Sequence, residues 1–284
     1  MSTALAVRAI GWKAHAALAG SGGQLRAWSC VGGGSYACVS DEILWVGADE
    51  GALHPRAIVL AQPPPTAGHA AVSAEGCAPW RAAALARTDA TAQALRRGCS
   101  RLQHDVAAIG TPRGFAVMLT GATPAFPLAH AGRHVHALAR GFRTDDVSAV
   151  RAAAESLLGL GPGLTPAGDD LVGAALFGRL TAGDETEAAS HWRGLASELA
   201  ELVPDRSHPV SAALFADLVA GDSFAALHRL VDALAGQRDA ATIVAAAQRL
   251  VTIGHSSGWE MLAGLIIGIT GSVTALPAPI EDPP

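Results

Sequence analysis

The chain is short of several things, and each shortage narrows what it can be. Aromatic residues make up 5% of its 284 residues, with a single tyrosine, and charged residues 16%. The net charge of −5 supplies no basic surface, which argues against nucleic acid as the main partner. Cysteine occurs four times, as Cys30, Cys38, Cys77 and Cys99, with no C-x-x-C pair and no zinc-like cluster. Free thiols in a cytoplasmic protein are the expected reading. Near the N-terminus Arg8 and Lys13 precede no compact apolar segment with a cleavage signal, so no signal peptide is expected. Met261 to Leu276 is uncharged and apolar, but shorter than the ~20 residues that span a bilayer. A buried core helix is expected there, and no membrane partner.

What is abundant is alanine, glycine and aliphatic side chains. Half the residues are hydrophobic, enough for a sizeable core and too many for disorder. Small side chains at this density let helices approach closely. The two halves differ in pattern. Short apolar runs at Ala37 to Ser40, Glu42 to Val46, Ala57 to Leu60 and Phe115 to Leu119 read as strands. Alanine-rich Pro79 to Arg97 reads as a helix, and Pro63-Pro64-Pro65 as a loop. From Thr144, read as an N-cap, the signal is helical. Helices are expected from Thr144 to a stop at Gly159, from Ala167 on, over Glu185 to Val203 and over Pro209 to Ala220 with Ser207 as candidate cap. Three more are expected over Ser223 to Ala235, Ala240 to Val251 and Gly258 to Thr270. The fold class is therefore α+β: a mixed domain over 1–143 and a helical domain over 144–284, closed by a proline-rich tail.

Chemistry concentrates at Gly159-Leu160-Gly161-Pro162-Gly163-Leu164-Thr165-Pro166-Ala167-Gly168-Asp169-Asp170. Thr165-Pro166 has the form of a helix start, threonine capping and proline first. A glycine loop, a helix N-terminus and two carboxylates then meet, an arrangement suited to an anion, a metal or a proton transfer. It is not a phosphate-binding P-loop, because aspartates stand where that motif has lysine and a hydroxyl residue. A tight helix connection is the plain alternative. The segment Gly254-His255-Ser256-Ser257-Gly258-Trp259-Glu260 is a second glycine-flanked start, with Ser257 and Glu260 spaced as a capping box. It also fits G-x-S-x-G, but the hydrolase order needs a later histidine and none follows His255. His130, His134 and His136 would suit a metal if they lay on a strand; surface histidines are the plainer reading. Arg206, in Asp205-Arg206-Ser207-His208, is a candidate anion clamp.

Two of these segments carry a resemblance. Gly161-Pro162-Gly163-Leu164-Thr165-Pro166-Ala167-Gly168-Asp169-Asp170 resembles the G-x-G-L-T-P-S-G-D-D signature of the AllH-like family. Gly254 to Gly264 is similar to that family's second signature, G-x-T-S-G-x-D opening the last helix. The chain departs at Ala167, where the family has serine, at Ser256 for threonine and at Glu260 for aspartate. The resemblance implies a subunit of oxamate carbamoyltransferase, which with partner subunits splits oxalurate with phosphate into oxamate and carbamoyl phosphate. The Ser-Thr-Arg-Thr loop of the aspartate and ornithine transcarbamylases is absent.

Under this reading Asp169 and Asp170 are the catalytic candidates, one acting as general base on nitrogen. Gly161, Gly163, Thr165, Gly168, His255, Ser256, Ser257, Gly258 and Arg206 are the candidate substrate and anion contacts. The expected partners are a small anion (phosphate, carbamoyl phosphate or an oxamate-like acid) and other subunits, with the chain close to silent alone. Two alternatives stay open. One is a metal-dependent hydrolase with Mg²⁺ held by Asp169, Asp170 and Glu260. The other is a non-catalytic, anion-binding partner subunit. The two glycine-flanked helix starts are expected to face one pocket.

Overall fold

The structure, a computed structural model, describes residues 5–21, 24–25, 29–31, 34–39, 42–63, 70–183 and 187–274. Its N-terminal part is one mixed sheet. The strands are β1 (Leu5–Gly11), β2 (Gln24–Leu25), β3 (Ser29–Val31), β4 (Gly34–Val39), β5 (Glu42–Gly47), β6 (Ala57–Leu60), β7 (Ala70–Ser73) and β8 (Pro79–Trp80). They lie in the order β2-β7-β1-β6-β5-β4-β3, with β8 pairing β1. β6 is antiparallel to β1 and parallel to β5, and all four of its residues are buried. A strand apolar on both faces must be covered twice. Helix α1 (Trp12–Ser21) covers one face through Ala14 and Leu18, beside Ile58 and Leu60. On the other, Ala57 and Val59 meet Leu53 and Ala225 of the helical part.

The helices are α2 (Asp89–His104), α3 (Val106–Ile109), α4 (Gly132–Thr144), α5 (Val147–Leu157), α6 (Ala167–Ala182) and α7 (Glu187–Leu202). They continue as α8 (Pro209–Val219), α9 (Ala225–Ala235), α10 (Ala240–Leu250) and α11 (Ser257–Thr270). The α+β class holds, and each of the seven helices expected after residue 143 has its counterpart. The core they share runs from Leu95 to Val273, so α2 and α4 pack into it as well.

At its centre α6 and α11 lie backbone against backbone. A Cβ at Gly264 would sit 2.3 Å from the Leu171 carbonyl oxygen, and one at Gly268 1.9 Å from that of Ala175. Both contacts link residues 93 apart, a constant offset that makes the helices parallel. Parallel packing puts both N-termini at the same end of the bundle.

Several local expectations are corrected. Phe115 to Leu119 is a 3₁₀ helix over Gly114–Thr120, not a strand. Its buried positions, 115, 116, 118 and 119, form two pairs that repeat at three, with no strict alternation along the segment. The stretch read as a helix over Pro79 to Arg97 begins as β8. Residues 81–88 have no regular structure and no continuous buried face, and the helix starts only where Thr88 Oγ1 accepts the Thr91 N–H. Thr144 ends α4, and Asp146 caps α5 by accepting the Ala149 N–H at 2.9 Å. His208, not Ser207, caps α8. Pro64, Pro65 and the proline-rich tail lie outside the described residues, as does the side chain of Cys30; Cys38, Cys77 and Cys99 are free thiols. None of the described helices is long and apolar enough to cross a membrane.

An ion-pair knot joins the sheet to the bundle. Asp217 of α8, 1% exposed, accepts from Lys13 Nζ at 2.5 Å and from Arg56 Nε at 2.9 Å. Arg56 also pairs with Glu42.

Gly268→Val must push α6 and α11 apart. Overpacking of this kind costs about 3 kcal/mol, so a Tm loss of roughly 6 °C or more is expected in a thermal melt. A melt unchanged within a degree would show that the glycine contact is dispensable.

Candidate functional site

The glycine loop is built to return the chain onto its own helix. Gly159 and Gly161 sit at φ 78° and 119°, a region that L side chains rarely adopt. The loop closes where the Gly168 N–H donates to the Leu160 carbonyl at 2.9 Å. Thr165 does not cap α6; Pro166 holds the N-cap position, and its carbonyl receives the Asp169 and Asp170 N–H groups. The Thr165 hydroxyl is thereby free to reach across to α11, where it lies 3.0 Å from Ser257 Oγ. The two motifs meet, as parallel helices with level N-termini require.

The second start also departs from its expected form. Ser256 is the N-cap and makes no side-chain cap bond. Glu260 does not reach back to close a capping box. It turns inward, 0% exposed, and accepts the Phe115 N–H at 2.9 Å, leaving Oε2 without a partner. Gly114, at φ 58°, makes room for it, since a Cβ there would lie 1.7 Å from Oε1.

The adjacent aspartates divide, as neighbours ~100° apart on a helix must. Asp169 is saturated. Its Oδ1 accepts the Gly159 N–H at 2.7 Å, and its Oδ2 accepts from Ser211 at 2.6 Å and from Ser207. It ties the loop to α8 and does not line the cavity. Asp170 faces the cavity, 6% exposed, with Oδ2 unpartnered. Burial pushes its pKa up to about 7, the Asp169 charge adds to the rise, and hydrogen bonds from Ser257 and Thr165 offset part of it. Burial likewise raises Glu260 well above the usual carboxylate range.

The cavity has a volume of about 490 Å³ and lies between bundle and sheet. Pro162, Gly163, Leu164 and Thr165 line it from the first motif, and Gly254, His255, Ser256 and Ser257 from the second. Leu214 and Phe224 come from the helical part, and Tyr36, Trp45, Asp49 and His54 from the sheet side. Gly161, Gly168 and Gly258 shape the two turns without lining it. A Cβ at Gly168 would lie 1.9 Å from the Leu157 carbonyl oxygen, and one at Gly258 2.0 Å from that of Leu250. Arg206 donates to the Glu155 carbonyl at 2.8 Å and is not among the lining residues. His134 and His136 lie two apart on α4, on different faces, and His134 meets Arg133 instead.

Sequence reasoning missed the residues of the sheet side and Arg113. Arg113 Nη1 donates to the His255 carbonyl at 3.0 Å, at the cavity's rim. One faint signal existed for Trp45. Gly34 and Gly47 are cross-strand partners, and a Cβ at either would lie about 2.5 Å or less from the Trp45 ring. His54, 1% exposed, gave none. Its Nδ1 accepts the Arg56 N–H at 3.2 Å, its ring packs 4.7 Å from Phe224, and Nε2 has no partner. Burial, with the Arg56 charge, holds its pKa down to about 3. Burial and the Asp170 charge raise Tyr36 to about 12. Among the described residues no three His, Cys, Asp or Glu side chains are placed to hold one metal ion; Asp169, Asp170 and Glu260 do not form a ligand set.

The comparisons fit this geometry. Residues 157–269 match the family model of the oxamate carbamoyltransferase subunit AllH. The match begins at the end of α5, takes in both motifs and stops at the end of α11. The sheet and its cavity residues lie outside it. No curated protein and no solved structure matches the chain.

The raised Asp170 pKa has a consequence for stability. A carboxyl with a folded pKa near 7 and an unfolded one near 3.8 supports the fold fully below pH 4, and that support is lost as pH rises through 7. Asp170→Asn stays neutral throughout. Its Tm should equal wild type near pH 4 and exceed it by several degrees at pH 8. A constant difference across that range would mean that Asp170 titrates normally.

Proposed function

We propose that this chain is a subunit of a carbamoyltransferase similar to oxamate carbamoyltransferase, and that the cavity between the two motifs holds the carbamoyl substrate. The observation that carries the proposal is Asp170: a buried carboxyl at the meeting point of two motif-bearing helix starts, with one oxygen unpartnered at a cavity wall. The family match over 157–269 supplies the reaction class. A pKa near 7 suits a group that both gives and takes a proton at neutral pH.

In the direction of oxalurate breakdown, a phosphate oxygen attacks the carbamoyl carbon and the C–N bond breaks. The departing oxamate nitrogen takes the proton from Asp170. In the reverse direction Asp170 carboxylate removes it. Thr165 and Ser257 hold the carboxyl in place through the hydroxyl pair that joins the helices. Asp169 braces the loop, because its hydrogen bonds already fill it. The anionic end of the substrate is assigned to the rim, where Arg113 stands beside His255. The Mg²⁺-hydrolase alternative gains nothing from the carboxylates, which do not converge.

The isolated chain should be close to silent, because partner subunits would have to complete the cavity and exclude water. The assay is carbamoyl phosphate formation from oxalurate and phosphate, with the chain alone and with its partner subunits. Turnover is expected only in the complex. There Asp170→Asn should lower kcat about 10²- to 10⁴-fold without loss of Tm. Asp169→Asn should act on stability instead, costing about 1–3 kcal/mol as buried donors lose their acceptor. Robust turnover by the chain alone, or equal and small effects of both substitutions on rate, would remove this assignment.

A further inference from the structure

The cavity wall carries two buried polar atoms to which the protein itself gives no partner. One is Asp170 Oδ2; the other is His54 Nε2. Because His54 Nδ1 accepts the Arg56 N–H, the neutral ring carries its proton on Nε2. The first atom is an acceptor when Asp170 is ionised, and the second is a donor. Leaving either buried and unmade is costly, so each calls for an external partner.

The His54 ring is held with unusual thoroughness. The Ala57 N–H donates to the His54 carbonyl at 2.9 Å, the Pro55 carbonyl accepts the Lys13 and Ala14 N–H groups, and the Ala225 N–H of α9 reaches the Leu53 carbonyl at 2.8 Å. Sheet, α1 and bundle thus fix the turn from three sides. The Arg56–Asp217 pair fixes the next residue. A donor held so firmly against a cavity is preorganised for one geometry.

The surroundings disfavour an anion as the direct partner of these two atoms. Asp49 and Asp170 line the cavity, while among the described residues no lysine or arginine does. The Gly168, Asp169 and Asp170 N–H groups at the start of α6, candidates for anion binding, are bonded to the Leu160 and Pro166 carbonyls. A planar, uncharged ureido or amide group matches instead. It presents a carbonyl oxygen to a donor and an N–H to an acceptor. The Phe224 and Trp45 rings offer it apolar walls.

We infer that His54 and Asp170 form a donor–acceptor clamp for the uncharged carbamoyl end of the substrate. The His54 Nε2–H donates to the carbonyl oxygen, and Asp170 Oδ2 pairs with the ureido nitrogen, accepting its N–H when ionised and giving it a proton when protonated. The anionic end is left to the rim. This deepens the carbamoyl-transfer reading and rests on it for the identity of the substrate, but the clamp itself requires no turnover. His54 is already neutral at physiological pH, so it donates without changing charge.

The test uses methylurea, which carries the ureido group and no charge, and inorganic phosphate as the contrasting probe. In the wild-type chain, labelled at histidine, the Nε2–H resonance of His54 should move and saturate on titration with methylurea. Phosphate at the same concentration should leave it in place. His54→Asn keeps an acceptor for the Arg56 N–H but removes the donor, and should weaken methylurea binding about tenfold or more. His54→Gln restores an N–H near the Nε2 position and should stay within about threefold of wild type. The clamp is overturned if the wild-type resonance does not respond to methylurea, if phosphate displaces methylurea, or if Asn and Gln behave alike. The wild-type titration decides even where a variant folds poorly. Should methylurea behave as expected while the reconstituted complex transfers no carbamoyl group, the activity reading falls and the clamp stands. Full turnover by the complex carrying His54→Asn, with KM unchanged, sinks the clamp alone.

Discussion

The parallel contact between α6 and α11 is the constraint on which the rest of the molecule depends. Glycines at 264 and 268 let the two backbones approach to a distance at which no side chain fits. Every helical glycine sacrifices about 1 kcal/mol of intrinsic helix stability relative to alanine. The packing of two helices that are buried almost all round offsets it. The contact also sets register. With the helices parallel and offset by a constant number of residues, Thr165 must arrive beside Ser257, and Asp170 must arrive one turn inside the pair. A one-turn slip would separate the hydroxyls and leave the carboxyl facing the core.

That placement creates a tension within the site. Asp170 and Glu260 are buried carboxyls, each with an unpartnered oxygen; burial raises both pKa values, and the Asp170 charge adds to the rise at Glu260. His54 is a buried imidazole held neutral nearby. The opposing pH trends follow from sign alone. Asp170 withdraws support as pH rises from about 4 to 7, and Glu260 acts in the same direction, whereas His54 withdraws it as pH falls from 6.5 toward 3. A protein selected only for stability would fill such a cavity with aliphatic side chains. Asp169, two of whose partners are serines that could as easily be alanine, shows how completely the same fold satisfies a buried carboxylate when bracing is its task. The contrast between neighbours on one helix turn separates a structural aspartate from one kept available.

Much of this was legible in the sequence, and the reasons differ by element. The helices after residue 143 announce themselves through apolar periodicity and breakers, because each presents a continuous face to the core. The strands around Leu44 and Ile58 are short β-branched and aliphatic runs between turns. The 3₁₀ segment at Phe115 was misread because its burial follows a period of three, which short apolar runs do not distinguish from two. The stretch at residues 81–88 was misread because alanine favours helix locally, but only Leu85 of it packs against the core, and no continuous face is buried. Capping failed as a guide at both motifs for one physical reason. Thr165, Ser257 and Glu260 are the residue types that close helix ends, and here each is drawn into a long-range contact that a sequence window cannot see.

The sheet's contribution was the least legible part, because none of its cavity residues belongs to a motif. Tyr36, Trp45 and His54 reach the cavity only because the sheet is docked, and the docking rests on side chains far apart in sequence. Lys13 and Arg56 converge on Asp217, which removing either cation would leave buried with half its compensation. Arg56 is at once the partner of Asp217, the donor that fixes the His54 tautomer and the charge that helps keep that ring neutral. One residue therefore couples the interface between sheet and bundle to the protonation state of the site. The part of the chain that matches the carbamoyltransferase subunit family supplies Asp170, and the part outside the match supplies His54 on the same cavity wall. Under the proposed carbamoyl-transfer reading, a site divided in this way keeps its reaction chemistry in the helical half while its choice of substrate changes with the sheet.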